Sequence, residues 1–356
     1  MKISNNYYKQ REIDSLNKID EITKSLPSYV YEFVVGRTEY TSPLTRLNYS
    51  LDLRIFFDYL TKTVYKGKKY CEITLNELEK LTLDDFENFL AYLTHYTFNG
   101  KEEINNERGK ARKLSAVRAF YKYLYFKGKI SSNVSAKVSL PKLHEKEIIR
   151  LDINEMVNLI NLAESGDNLT ERQKAYHKNT KIRDVAILTM FLGTGIRNSE
   201  LVGLNVDDIN FKDYSFVVTR KGGNRTILYL NDEVCNALIA WVDYRSQIKD
   251  LDPNENALFL SLQNTRITTR SIQQLVKKYA KIVTPLKKIV TPLKKITPHK
   301  LRSTFGTNLY NETGDIYLVA DFLGHSDVNT TKKHYAAMSD ETRRKAIKSV
   351  KIRDEE

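Results

Sequence analysis

Cysteine is scarce. Cys71 and Cys235 are the only two in 356 residues, too few and too far apart for a disulfide framework or a zinc ribbon, and they suit a reducing compartment. No uncharged apolar run approaches the 18 or so residues that a membrane-spanning helix needs, so no membrane insertion is expected. The first ten residues, MKISNNYYKQ, lack the apolar core of a secretory signal, and a soluble cytoplasmic protein is the expectation. There is no G-x-x-x-x-G-K-[ST] loop for a nucleotide triphosphate and no run of Asp and Glu that would gather Mg²⁺. ATP-driven and metal-dependent chemistry are therefore not expected, and no cofactor is assigned. Negative charge is also in deficit. Asp and Glu number 44 against 57 Lys and Arg, a formal charge of +13. That excess calls for a polyanionic partner, nucleic acid before a membrane surface. At 41% hydrophobic and 28% charged residues the chain is globular, and its length suggests two domains.

The first third carries helical periodicity. Residues 41–60 place Leu47, Leu51, Ile55 and Tyr59 on one face, with Pro43 near the start. A second helix opens at Thr82-Leu-Asp-Asp, a capping sequence, and carries Phe86, Phe89, Leu90 and Leu93. A third spans about 107–126 with Leu114, Val117, Tyr121 and Leu124 as its apolar stripe. Arg108, Lys110, Arg112, Lys113, Arg118 and Lys122 surround that stripe with few carboxylates between them, which makes them candidates for DNA-backbone contact. Between 127 and 150 the pattern dissolves, with Gly128, a serine cluster and Pro141 marking a linker. The expected division is a helical extension at 1–27, a DNA-binding domain at 28–143 and a second domain at 144–356.

The second domain reads as a helix at 152–163, a polar stretch at 164–181 and an apolar helix at 183–192. Two short strands within 214–230 follow, joined by a Gly-Gly turn, and then helices at 232–249 and 269–281. The segment KIVTPLK at 281–287 recurs unchanged at 288–294. Pro285 and Pro292 exclude a continuous helix there, so the repeat is expected to lengthen a loop.

Five polar stations follow in order. Arg197 comes after a Gly-containing turn in GTGIRNSEL, with Glu200 one helical turn later to orient it or to cap locally. Lys221 stands at the hairpin tip, flanked by Arg220 and Arg225, two further DNA-contact candidates. In TPHKLR, Thr297 is a good N-cap and Pro298 a good first helical residue, so His299 and Arg302 share the first turn of a helix. LGHSDVNTTKKHY then supplies His325 and Tyr335. His334 is read as solvated or DNA-facing, and His95, His144 and His177 as surface or packing residues.

The ordered set Arg197, Lys221, His299, Arg302, His325 and Tyr335 resembles the active site of the tyrosine recombinases, the integrase family of site-specific DNA recombinases. Within that family the length and the helical segment KIDEITKSLPSYVYEF are similar to the longer Xer branch, in which one recombinase serves a site unaided. The resemblance implies a mainly α fold: a SAM-like core-binding domain followed by a mixed α/β catalytic domain with a small β-hairpin. It implies cleavage and rejoining of DNA through a 3′-phosphotyrosyl intermediate, on a short imperfect palindrome, within a homotetramer on two synapsed sites. An accessory or septal activating protein and a nucleoid-associated bacterial setting come with it. So does a C-terminal exchange helix, here 339–352, that docks on a neighbouring protomer.

The chemistry asks for these residue types. Two guanidiniums, Arg197 and Arg302, can stabilise the extra charge on the non-bridging oxygens, with His325 as a further donor. A phenol has an ordinary pKa of about 10 and needs a proton acceptor, here His299. The departing 5′ oxygen needs a proton, which Lys221 can give. Xer-type chromosome dimer resolution is the leading biological expectation. Integration of a mobile element, phase-variation inversion and a non-cleaving DNA-binding regulator remain open alternatives.

Overall fold

The computed structural model describes residues 6–142, 150–220, 222–283, 296–324, 327–329 and 331. The chain forms two compact units, Met1–Lys146 and Glu147–Glu356.

In the first unit, helices α1 (Asn6–Thr23), α2 (Ser28–Val35), α3 (Pro43–Tyr59), α4 (Leu75–Glu79) and α5 (Leu83–Tyr92) precede a two-stranded hairpin and the long α6 (Glu107–Phe126). Helix α3 starts where its chemistry dictates, with Pro43 in the first turn and the Ser42 hydroxyl accepting from the Thr45 amide. Its inward face is not the stripe expected from the sequence. Leu47 and Tyr59 are buried, but Leu51 is exposed, and Leu53, Phe56, Phe57 and Leu60 fill the core instead. Burying two adjacent phenyl rings removes more apolar surface than burying Leu51 and Ile55, so the aromatic pair sets the helix's rotation. Phe56 lies 5.1 Å from Phe89 and 6.0 Å from Phe86, centroid to centroid. Thr82 and Asp85 form the reciprocal cap of α5, while Leu114, Val117, Tyr121 and Leu124 of α6 all point inward. The hairpin of β1 (His95–Phe98) and β2 (Lys101–Ile104) is antiparallel, with Phe98 opposite Lys101. Asn99 and Gly100 turn it, both at positive φ.

In the second unit, α7 (Ile153–Ser165), α8 (Glu171–Thr194) and α9 (Asn198–Gly203) lead into strands β3 (Ile209–Asn210), β4 (Ser215–Thr219) and β5 (Arg225–Tyr229). Helices α10 (Asp232–Ser246), α11 (Thr269–Val283), α12 (Pro298–Thr313) and α13 (Ile316–Leu323) follow. Helix α8 packs against α7, α10 and α12. It begins well before the apolar run at 183–192: the polar residues from 171 onward are its first turns, started by a reciprocal cap between Thr170 and Gln173. The sheet is antiparallel in the order β3-β4-β5, one strand more than expected. At the heart of the unit Asp184, 1% exposed, accepts from Arg183 Nη2 at 2.8 Å, Tyr279 Oη at 2.9 Å and Lys278 Nζ at 3.0 Å. Trp241 donates to the Leu258 carbonyl and stacks on Phe259.

Among the described residues the fold is mainly helical with two small antiparallel sheets, in agreement with the expected class. The linker residues 143–149, the repeated segment from 284 to 295 and the proposed exchange helix at 339–352 lie outside the described residues.

Candidate active site

Three chain segments more than twenty residues apart converge on one helix end. Helix α8 stops at Gly195, whose φ of +61° is a left-handed cap. Two residues later Arg197 becomes the N-cap of α9. Its own amide donates to Glu200 Oε2 at 2.9 Å and its Nη1 to Glu200 Oε1 at 2.7 Å. Glu200 is 3% exposed, so it orients Arg197 as expected from their spacing. The other arm of the guanidinium, Nη2, donates to the Gly324 carbonyl at 2.9 Å.

Arg302 arrives from α12, which Pro298 opens at the first position after Thr297. It is 4% exposed. Its Nη1 donates to the Gly195 carbonyl at 2.6 Å and its Nη2 to the Leu323 carbonyl. His299, on the same turn, is exposed. The acceptors Phe322, Leu323 and Gly324 end α13, where backbone carbonyls lack helical partners and carry the negative end of the helix dipole. Gly324, at φ +56°, turns the chain there.

A third guanidinium was expected on DNA and lies here instead. Arg220 is 9% exposed. Its Nη2 donates to the Phe322 carbonyl at 2.9 Å and its Nη1 to the Leu323 carbonyl at 3.2 Å. Nη1 also lies 3.7 Å from Glu200. Burial lowers its pKa from the ordinary arginine value, with Glu200 opposing and Arg197 reinforcing that shift. The sequence offered no signal for this, because a hairpin arginine next to a lysine reads as a solvent-facing charge.

Arg197 and Arg302 are thus brought together. Lys221, His325 and Tyr335 lie outside the described residues, as does His334. The chain nevertheless runs from Arg220 directly to Lys221 and from Gly324 directly to His325.

The basic residues of α6 are less uniform than their sequence suggests. Lys113 is buried and donates to Asn105 Oδ1 at 2.7 Å, which corrects its reading as a backbone contact. It flanks Leu114 on the inward side of the helix, and burial lowers its pKa. Arg112 pairs with the buried Asp52, Lys110 donates to Thr94 and Arg118 to the Ala136 carbonyl. Arg108 and Lys122 are exposed, the latter 5.6 Å from the Phe126 ring centre. On the hairpin, Arg225 pairs with Asp208 at 3.1 Å. His177 is a packing residue against the Ala163 carbonyl, and exposed His95 faces Glu102 at 3.7 Å. Among the described residues no group of three His, Cys, Asp or Glu could hold a metal ion, and no helix is long and apolar enough to cross a membrane.

Residues 150–342 match the phage integrase family, and residues 35–128 match the phage integrase N-terminal SAM-like domain. The tyrosine recombinase XerC of Caldanaerobacter subterraneus subsp. tengcongensis is 34% identical over 86% of this chain and 81% of its own length. The tyrosine recombinase XerS of Streptococcus agalactiae is 30% identical over 92% of this chain and 96% of its own. Two solved structures share the fold. The XerH recombinase in a pre-cleavage complex with its difH substrate has a TM-score of 0.60 at 18% identity, covering 87% of this chain and 80% of that one. The Tn1549 transposon integrase with circular intermediate DNA has a TM-score of 0.63 at 17% identity, covering 91% and 98%. The chain belongs to the phage integrase family, the tyrosine recombinases, and is an enzyme of DNA strand cleavage and rejoining similar to the Xer recombinases.

Proposed function

We propose that this recombinase acts at a single chromosomal site in the Xer manner, resolving chromosome dimers, with Arg197, Lys221, His299, Arg302, His325 and Tyr335 as its catalytic set. The observation that carries the site assignment is the meeting of Arg197 and Arg302 at the carbonyls of residues 323 and 324, immediately before His325. The names of the relatives at 30% identity or more support the Xer role over mobile-element integration or inversion.

In this scheme the Tyr335 oxygen attacks the scissile phosphorus and the bond from phosphorus to the 5′ oxygen breaks. The phenolic proton passes to His299, and Lys221 protonates the departing 5′ oxygen. Arg197, Arg302 and His325 hold the two non-bridging oxygens while charge accumulates on them. The phosphotyrosyl linkage retains the energy of the broken bond. A 5′ hydroxyl from the second site then reverses the step without a nucleotide cofactor. Strand exchange requires four protomers on two synapsed duplexes, with residues 339–352 linking neighbours. The site itself is a short imperfect palindrome in double-stranded DNA, bound by a cytoplasmic, nucleoid-associated protein.

Covalent capture tests this reading. The protein is incubated with nicked candidate-site DNA in EDTA and run on a denaturing gel beside Tyr335→Phe. The expected result is a protein–DNA adduct in the wild type that Tyr335→Phe abolishes. Specific binding without an adduct would favour a non-cleaving regulator. An adduct on the ends of a mobile element, and none on a chromosomal palindrome, would move the biology to integration. Removing residues 339–356 should weaken cooperative assembly more than binding of one protomer; equal losses would refute the docking role.

A further inference from the structure

We propose that Arg220 is a positioning residue of the cleavage step, not a DNA contact: it fixes the supports on which both Arg197 and Arg302 are held. This rests on the catalytic assignment above and extends it to a side chain outside the set.

The two candidate catalytic arginines each rely on a distinct acceptor. Arg197 leans on Glu200 Oε1 at 2.7 Å, and Arg302 leans on the Leu323 carbonyl. Arg220 reaches both of these acceptors, Glu200 Oε1 at 3.7 Å and the Leu323 carbonyl at 3.2 Å, and adds the Phe322 carbonyl at 2.9 Å. Its side chain thus touches an anchor of each arginine. Its backbone is held as firmly. The Arg220 amide donates to the Asn224 carbonyl at 2.7 Å, and the Gly223 amide donates back to the Arg220 carbonyl at 3.1 Å, closing the hairpin neck. The hairpin is thereby fastened to the end of α13 through one side chain.

Arginine suits this place for two reasons. A planar fork can span the consecutive carbonyls of Phe322 and Leu323, which a lysine ammonium on a flexible stem does less well. Charge matters as well. With Arg197 alone, Glu200 would neutralise its partner. A second guanidinium on the same carboxylate leaves Arg197, Arg220, Arg302 and Glu200 with a combined charge of about +2, arranged to meet a phosphate before it arrives. Arg220 is 9% exposed and both its terminal nitrogens donate to the carbonyls of residues 322 and 323, unlike the exposed Arg108 of α6.

The test compares wild type, Arg220→Gln and Arg220→Lys in single-turnover adduct formation at saturating protein, with site affinity measured separately. Two nicked substrates are used. One carries the natural phosphate and the other a methylphosphonate at the scissile position, where a neutral methyl replaces one charged oxygen. Arg220→Gln should slow cleavage of the phosphate by about a hundredfold, the scale expected when catalytic groups are misplaced. Its affinity should stay within about threefold of wild type, less than half a power of ten in Kd. On the methylphosphonate most of that loss should vanish, since less charge has to be stabilised. Arg220→Lys should fall between. A loss of affinity with an unchanged cleavage rate would make Arg220 a DNA contact and overturn the proposal. An equal loss on both substrates, or no loss, would overturn it too. If Arg220→Gln melts early, the Arg220→Lys variant decides by the same ratio between substrates. A wild type that forms no adduct would remove the catalytic reading itself, an outcome separate from any effect of Arg220.

Discussion

Replacing Gly195 by alanine should destabilise the second unit by about 3 kcal/mol. The figure has two parts. Gly195 adopts φ +61°, and a β-carbon in the left-handed region costs roughly 1–2 kcal/mol. An added Cβ would also overlap the Phe305 ring and lie 3.0 Å from Leu323 Cδ2. Forcing one carbon into such a packed place costs typically about 1–3 kcal/mol. Gly314 provides the control, because it has φ +67° with open space around its missing Cβ, so Gly314→Ala should show only the backbone part. Trp241, the single tryptophan, is buried in the same unit and reports its unfolding in urea by fluorescence. At about 2–4 °C per kcal/mol for a unit of this size, Gly195→Ala should melt roughly 6–12 °C early. Adduct formation should suffer as well, since Arg302 donates to the Gly195 carbonyl. Equal destabilisation by the two substitutions would refute the steric argument and with it the tight approach of α12 and α13 to the end of α8.

Asp184→Asn leaves Arg183 and Lys278 without their buried counter-charge, and the loss should reach about 3 kcal/mol by the same fluorescence assay. A cost below about 1 kcal/mol would mean the network is dispensable. Burial lowers the pKa of Lys113, so between that lowered value and the ordinary lysine range the unfolded chain binds the extra proton. Stability therefore gains a contribution as pH rises through that window. Lys113→Met should remove this rise in denaturation measured across the alkaline range below pH 10.5; an unchanged slope would contradict it. DNA affinity should fall steeply with salt. Arg108→Ala and Lys122→Ala should each reduce the slope of log K against log salt by about one. Lys113→Met should leave that slope unaltered, and a salt-independent affinity would remove α6 from the interface.

Much of the fold was legible because its signals are local. Helix α6 runs over the residues that its periodicity indicates, and α5 begins at the reciprocal cap of Thr82 and Asp85. The same logic would have found two elements that went unread. Asn99-Gly100 is a strong two-residue hairpin signal, and Thr170 with Gln173 starts α8 inside a stretch that looked merely polar. The rotation of α3 was not legible, because four-residue spacing fits several faces and only the partners of Phe56 and Phe57 choose among them. At the site, Arg197 and Arg302 could be named from residue order and chemistry. The role of Arg220 could not, since it depends on a helix end 102 and 103 residues further along the chain. Lys113 and Arg108 look alike in sequence, and only burial separates them.

The hairpin neck and the end of α13 also constrain each other's evolution. A β-carbon at Gly324 would sit 2.6 Å from the guanidinium carbon of Arg220. While arginine occupies position 220, position 324 is restricted twice, by left-handed backbone and by that collision. A lineage that shortened residue 220 would lift the second restriction and keep the first. Asparagine, which tolerates positive φ better than other non-glycine residues, would then become admissible at 324. The two positions should therefore show strong epistasis: Gly324→Asn harmful beside Arg220 and milder beside glycine, although the residues stand 104 apart in sequence.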